Sequence, residues 1–226
     1  MPISTYLQIS KILDVVVKLN PASILDVGCG LGIYGALSRI YLEGDNLYDR
    51  ANLTFNKKEN YRVKIDCIEG FDKYITDLHR YVYNEIFISE VKESLQKFKE
   101  RSYDLVMAID ILEHFEKDYG IEFIRQLQRI GKNVIIATPP DPAEQVVPEN
   151  PLENHRSCWT KKELESFGFS ILNENTYILG LFPSERVNSL QSYQDTLKSQ
   201  SKIGMILKKF GIYVKYSSLP LFEAFQ

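Results

Sequence analysis

A helix that crosses a membrane needs a run of about 18 or more apolar residues, and this chain of 226 residues has none. Its start, Met1-Pro2-Ile3-Ser4-Thr5, lacks the basic stretch and apolar core of an export signal. Cysteine is scarce: Cys29, Cys67 and Cys158 lie far apart, with no C-x-x-C and no metal-type His/Cys spacing. Neither a disulfide framework nor a zinc or other metal site is expected from them. Cys29 and Cys67 sit beside expected strand ends, where cysteine serves as a small apolar residue. A soluble, cytoplasmic protein is the expectation. A basic surplus is missing too, since 27 Lys and Arg face 30 Asp and Glu for a net charge of -3. Nucleic acid is therefore an unfavoured partner. Internal repeats and low-complexity tracts are also missing.

The chain is 44% hydrophobic, with 14 Tyr and 12 Phe, enough for a substantial core. Ile9, Ile12, Leu13, Val16 and Leu19 recur at helical spacing, and Pro21 follows. Apolar runs at 24–27, 63–68, 86–88, 104–109, 133–137 and about 169–179 read as strands, with helical patterns between most of them. Such alternation predicts an α/β three-layer sandwich, a mostly parallel sheet with helices on both faces. Ligands then bind beyond the carboxyl ends of the strands. Polar candidates stand at those ends: Asp26 and Gly28, Glu69, Ser89 and Glu90, Asp110, and Thr138 with Pro139. Residues 43–61 interrupt the alternation as a long polar loop, either functional or a solvated insertion.

The densest signal is Ile24-Leu25-Asp26-Val27-Gly28-Cys29-Gly30-Leu31-Gly32. It is an apolar strand with an acid, run into a turn with glycines at alternate positions. Glycine permits positive φ and lets a ligand lie against the backbone. A dinucleotide-binding turn would follow G-x-G-x-x-G. Here the third glycine comes one residue early, and Ile33 stands where that pattern wants it. The spacing disfavours NAD.

This segment resembles motif I of the class I S-adenosylmethionine (SAM) dependent methyltransferases. Tyr103-Asp104-Leu105-Val106-Met107-Ala108-Ile109-Asp110-Ile111-Leu112-Glu113-His114-Phe115 resembles the fourth-strand motif of small-molecule members of that fold. The pair, in order and separated by an acid-ended strand, is more specific than either alone. The resemblance implies a Rossmann-like sheet of seven strands with an antiparallel last strand, SAM as cofactor, and methyl transfer to an oxygen or nitrogen of a small polar molecule. The alternative is a SAM- or adenosine-binding module that transfers nothing.

Residue by residue, the resemblance assigns Asp26, Gly28, Cys29, Gly30 and Gly32 to the donor turn, with Asp26 near the cationic amino group or tying down the turn itself. Glu69, followed by Gly70, is placed at the ribose diol. Glu90 and the Val91 N–H are placed at adenine, although the family prefers Asp where Glu90 stands. Asp110 would bind the donor or orient the acceptor. His114 stands either as a general base or as part of a scaffold.

On the acceptor side, Asn150-Pro151-Leu152-Glu153-Asn154-His155-Arg156-Ser157-Cys158-Trp159-Thr160 collects the chain's only Trp with His, Arg and Glu. Glu153, His155, Arg156 and Trp159 are candidate acceptor contacts, with His155, Asp110 and His114 as candidate catalytic groups. Thr160 and Glu163 form a capping-box pattern, so Trp159 could instead staple the helix that follows. The whole of 1–226 reads as one domain, monomer or homodimer. Its extension, 183–226, is expected to supply a helix around Ile203, Ile206, Leu207 and Phe210 and, between Tyr213 and Phe225, the last strand.

Overall fold

A computed structural model describes residues 6–49, 51–173 and 176–183, all within the compact unit Met1–Val187. The helix and strand expected beyond residue 183 lie outside the described residues, as does the unit 188–226.

A single turn at Tyr6–Gln8 leads into α1 (Ile9–Leu19), which buries Ile12, Val15 and Val16. The helix stops where Asn20 turns left-handed at φ +43° and returns its N–H to Val16 O at 3.0 Å, one residue before Pro21. The chain then enters β1 (Ser23–Val27), the glycine turn and α2 (Ile33–Glu43). The polar segment expected as one loop holds a small hairpin, β2 (Tyr48–Asp49) with β3 (Thr54–Phe55), apart from the main sheet. β4 (Lys64–Glu69), α3 (Asp77–Val82), β5 (Ile86–Ile88), α4 (Val91–Leu95), β6 (Tyr103–Ile109), α5 (Lys117–Ile130) and β7 (Gly131–Thr138) follow. A long loop, α6 (Lys161–Ser166), β8 (Ser170–Asn173) and β9 (Ile178–Phe182) are the last elements among the described residues.

The main sheet has seven strands in the order β5-β4-β1-β6-β7-β9-β8. β1 pairs in parallel with both β4 and β6, β4 with β5 and β6 with β7, while β9 runs antiparallel to β7 and to β8. The apolar run at 169–179 is thus part of a hairpin of two strands, and the reversed strand is Ile178–Phe182. The central strands are buried on both faces, so Ile24, Leu25 and Val27 of β1 and Leu105, Val106, Met107 and Ala108 of β6 all lie inside, with Asp26 and Asp66 as buried acidic exceptions in β1 and β4. α5 closes one face with Phe123, Ile124, Leu127 and Ile130. The chain leaves β1 toward β4 and β5, then returns to lay β6 on the other side of β1. That reversal opens a crevice beyond the carboxyl ends of the strands.

The insertion between α2 and β4 is clamped at its base. Arg39 is fully buried, donating to Val82 O at 2.8 and 3.0 Å, to Asn84 Oδ1 at 2.8 Å, to Glu43 Oε1 at 3.1 Å, and also to Val63 O. Glu43 in turn accepts from Val63 N at 2.8 Å, Asn46 Nδ2 at 2.7 Å and Arg62 Nε at 3.4 Å. The Arg39–Glu43 pair lies within α2, and its hydrogen bonds to Val63 tie the end of that helix to the residue before β4, so the insertion hangs between fixed points. Removing one partner of a buried pair strands the other. Arg39→Ala is expected to lower stability by about 3–5 kcal/mol in urea unfolding.

Candidate functional site

Three glycines around the β1 turn are fixed by neighbours of their own chain. Gly28, Gly30 and Gly32 have φ of +71°, +53° and +77°, a region that favours glycine. A Cβ on Gly28 would sit 2.3 Å from Ile111 Cδ1, and one on Gly32 would sit 3.2 Å from His79 Nε2. A third such position is Gly35, inside α2, where a Cβ would lie 2.2 Å from the Tyr83 hydroxyl. That hydroxyl passes the glycine to donate to Asp26 Oδ2 at 2.7 Å. His79 Nε2 donates to Gly30 O at 2.9 Å, while its Nδ1 accepts from Thr76 N at 3.1 Å. The turn is gripped from several directions before any ligand is considered.

Asp26 is buried, and burial pushes its carboxyl up to about 6, against the pull of the Tyr83 hydroxyl and the Gly35 backbone; Glu69 nearby raises it further. Glu69, at the end of β4, is also raised by burial, with main-chain N–H groups holding it back. It accepts from Phe71 N and Gly30 N, both at 2.9 Å, so it ties the neighbouring strand end to the glycine turn. Cys29 faces Cys67, and this contact together with burial drives its thiol upward, which keeps it in the neutral form.

Beyond β6 the backbone bends sharply, with Asp110 at φ +48° and its N–H on Ala137 O at 2.8 Å. Gln8, buried in the turn before α1, donates to Asp110 Oδ2 at 2.6 Å. The single turn Leu112–His114 follows. Glu113 is buried and accepts from Thr138 Oγ1 at 2.9 Å; burial and the nearby Asp110 charge push its carboxyl up to about 8. Its main-chain oxygen accepts from Arg156 N at 2.8 Å and Ser157 N at 3.1 Å. These two bonds pin the loop before α6 to the turn after β6, and they bring His155 beside His114 with ring centroids 5.0 Å apart.

The two halves face one cavity of about 610 Å³. Asp26, Gly28, Cys29, Gly30, Glu69 and Gly70 line one part, together with Glu90 and Val91 from the start of α4. Asp110, Glu113, His114, Glu153, His155 and Arg156 line the other.

No family model matches the chain, and no curated protein is similar to it. Among solved structures it is similar to the bifunctional kinase-methyltransferase WbdD, with 14% identity over 81% of this chain and 40% of that one at a TM-score of 0.51. WbdD crystallised with a kinase inhibitor gives 15% identity, 81% and 42% coverage and a TM-score of 0.53. An O-methyltransferase family protein from Burkholderia thailandensis is 16% identical over 77% of this chain and 55% of that one, at 0.49. The chain thus spans about half the length of these proteins or less. It has the class I methyltransferase fold.

Within that fold, one expected acceptor contact lies elsewhere. Trp159 is 1% exposed and cannot touch an acceptor. Its ring packs where a Cβ on Gly120 of α5 would come within 2.4 Å, the Lys117 ammonium stands 3.8 Å from the ring centroid, and its Nε1 donates to Ser157 Oγ at 2.9 Å. It staples α6 to the core, beside the capping box in which Thr160 N donates to Glu163 Oε2 at 2.8 Å and Glu163 N to Thr160 Oγ1 at 3.3 Å. Gly32 starts α2 against His79, between Leu31 and Ile33 of the cavity lining. Sequence reasoning missed Gln8, Gly35, His79 and Tyr83, which support the site from distant segments. It also found no metal-type spacing, because Glu113 and His114 meet His155 only through the fold.

Two expectations follow. Trp159→Ala should destabilise by about 3–5 kcal/mol in chemical unfolding, as deletion of a buried aromatic ring does. Asp26 holds its proton more tightly folded than unfolded, so its share of stability is full below 3.8 and falls as pH rises toward about 6. Asp26→Asn should remove that slope, shifting the stability difference by about 3 kcal/mol in the variant's favour over the window, as read by unfolding at a series of pH values.

Proposed function

We propose that the chain binds S-adenosylmethionine and transfers its methyl group to an oxygen or nitrogen of a small polar molecule. The observation that carries this reading is the single cavity in which a glycine turn and the acids of three successive strand ends face a second group of acid, imidazole and guanidinium side chains.

The donor half fits the three parts of SAM. A carboxylate offers about four lone-pair positions. Two of those on Glu69 are bound to the Gly30 and Phe71 N–H groups, which orient the others for a ribose diol. Glu90 starts α4 exposed at the cavity, where it would accept from the adenine amine beside the buried Val91. Asp26 and the glycine turn suit the cationic methionine portion, since a cation nearby offsets the cost of a buried carboxylate.

When bound, the sulfonium supplies a methyl group on a good leaving group. The protein's share is then alignment of the acceptor and exclusion of water, so proximity dominates. Asp110, at the end of β6, stands where the two halves meet. His155 and Arg156 come from a loop whose position the Glu113 carbonyl fixes. A cavity of about 610 Å³ holds a ligand of drug size and little more, which argues for a small acceptor or the exposed end of a larger one.

S-adenosylhomocysteine should bind the purified chain in a calorimetric titration while NAD does not. Glu69→Ala should weaken the binding by about ten- to a hundredfold, the loss of one to two hydrogen bonds to a charged group. Binding of NAD without S-adenosylhomocysteine would overturn the proposal. Donor binding with no methyl release across a panel of hydroxyl and amine metabolites would favour the binding-module alternative.

A further inference from the structure

Glu113, His114 and His155 each bring one possible ligand atom into a group whose members lie within 4.8 Å of one another. Two segments 41 positions apart in sequence, from His114 to His155, supply the imidazoles. They are two of the chain's three histidines.

Both rings are already oriented from behind. His114 Nδ1 stands 3.2 Å from Asn154 O, and His155 Nδ1 stands 2.6 Å from Ala143 O. A carbonyl only accepts, so in each neutral ring Nδ1 carries the hydrogen and Nε2 the lone pair. Metal-binding histidines are held in this way, one nitrogen donating to a carbonyl or carboxylate and the other left to ligate.

The surrounding charge has the matching sign. Asp110 and Glu153 both act on the buried Glu113 carboxyl as further negative charges. Arg156, the cationic side chain of the same loop, is turned to Glu116 at 3.7 Å and donates to Pro151 O at 3.1 Å. All three candidate ligands line the cavity.

We infer that Glu113, His114 and His155 bind a divalent cation at the acceptor end of the cavity. Two imidazoles and one carboxylate suit Mn²⁺, Fe²⁺, Co²⁺ or Zn²⁺ better than the all-oxygen sites of Ca²⁺ or Mg²⁺. With metal–ligand bonds of about 2.1 Å, two ligand atoms on one ion stand at most about 4.2 Å apart. Around a tetrahedral ion the spacing is about 3.4 Å, so any pair of these ligand atoms near the 4.8 Å bound closes by roughly an ångström or more on binding.

The chemical role of the cation rests on the donor reading above. A hydroxyl bound to a divalent cation loses its proton at lower pH. The acceptor class is then an alcohol or phenol: its oxygen gives the proton to solvent and bonds the methyl carbon, while the electrons of the broken carbon–sulfur bond stay on sulfur.

The test uses the full chain stripped of metal with a chelator and dialysed, titrated with Zn²⁺ and Mn²⁺ by calorimetry and with Co²⁺ by visible absorption. One equivalent should bind, and His114→Gln and His155→Gln should each weaken binding by about tenfold or more. Glu149→Gln, an exposed acid in the same loop, should leave it unchanged, and circular dichroism should show all variants folded. Absence of binding, or wild-type affinity in both histidine variants, overturns the inference. S-adenosylhomocysteine titrated into the metal-free chain reads the donor site separately. Metal binding without it would sink the donor reading alone, and the reverse would sink the cation alone.

Discussion

The carboxyl end of β1 depends on missing Cβ atoms. Ile111 from the turn after β6, His79 from α3 and Tyr83 from the end of α3 all occupy space that side chains at Gly28, Gly32 and Gly35 would fill. The first two of these glycines also need the left-handed conformation, so space and backbone impose the same residue. Only because the glycines yield can Tyr83 reach Asp26 and His79 hold the Gly30 carbonyl. The Gly30 N–H then meets Glu69, which fixes two adjacent strand ends against each other. A ligand approaching this turn finds a surface already shaped by three other segments.

Burial sets the electrostatics of the site. Asp26, Glu69 and Glu113 are all raised from their ordinary values, with loss of hydration the leading cause for each. Main-chain N–H groups and hydroxyls compensate only in part. A fold that retains acids under such a penalty is less stable empty than it could be, and cations brought to them recover part of the difference. The sulfonium donor with its amino group at one end, and the proposed divalent ion at the other, both carry charge opposite to that of the acids, which outnumber Lys92 and Arg156 in the cavity lining.

Strand ends were legible in the sequence because burial on both faces leaves short runs that are mostly apolar, and the rule that ligands sit beyond carboxyl ends then picked out Asp26, Glu69, Glu90 and Asp110. The capping box at Thr160 and Glu163 was legible because it is local. Trp159 was not, since its alternatives, acceptor contact or staple, differ only in what stands opposite, and Gly120 is 39 positions away. Gly35 carries no local signal at all: its reason is the Tyr83 hydroxyl. The run at 169–179 was read as one strand because the antiparallel hairpin of β8 and β9 continues the same apolar character on either side of its turn.

The two halves of the cavity are held by different means. The donor half is tied strand to strand, by Glu69 to Gly30 and by Tyr83 to Asp26, with every member on or beside the sheet. The acceptor half depends on a loop of some twenty residues whose main attachments are the two N–H groups on the Glu113 carbonyl and the internal bonds of Gln145 and Asn154. Changes in that loop alter which side chains face the cavity while leaving the sheet untouched. Glu113 is the exception: its carboxylate faces the cavity and its carbonyl anchors the loop. A residue that does both ties the chemistry at the acceptor end to the placement of the loop that would recognise the acceptor.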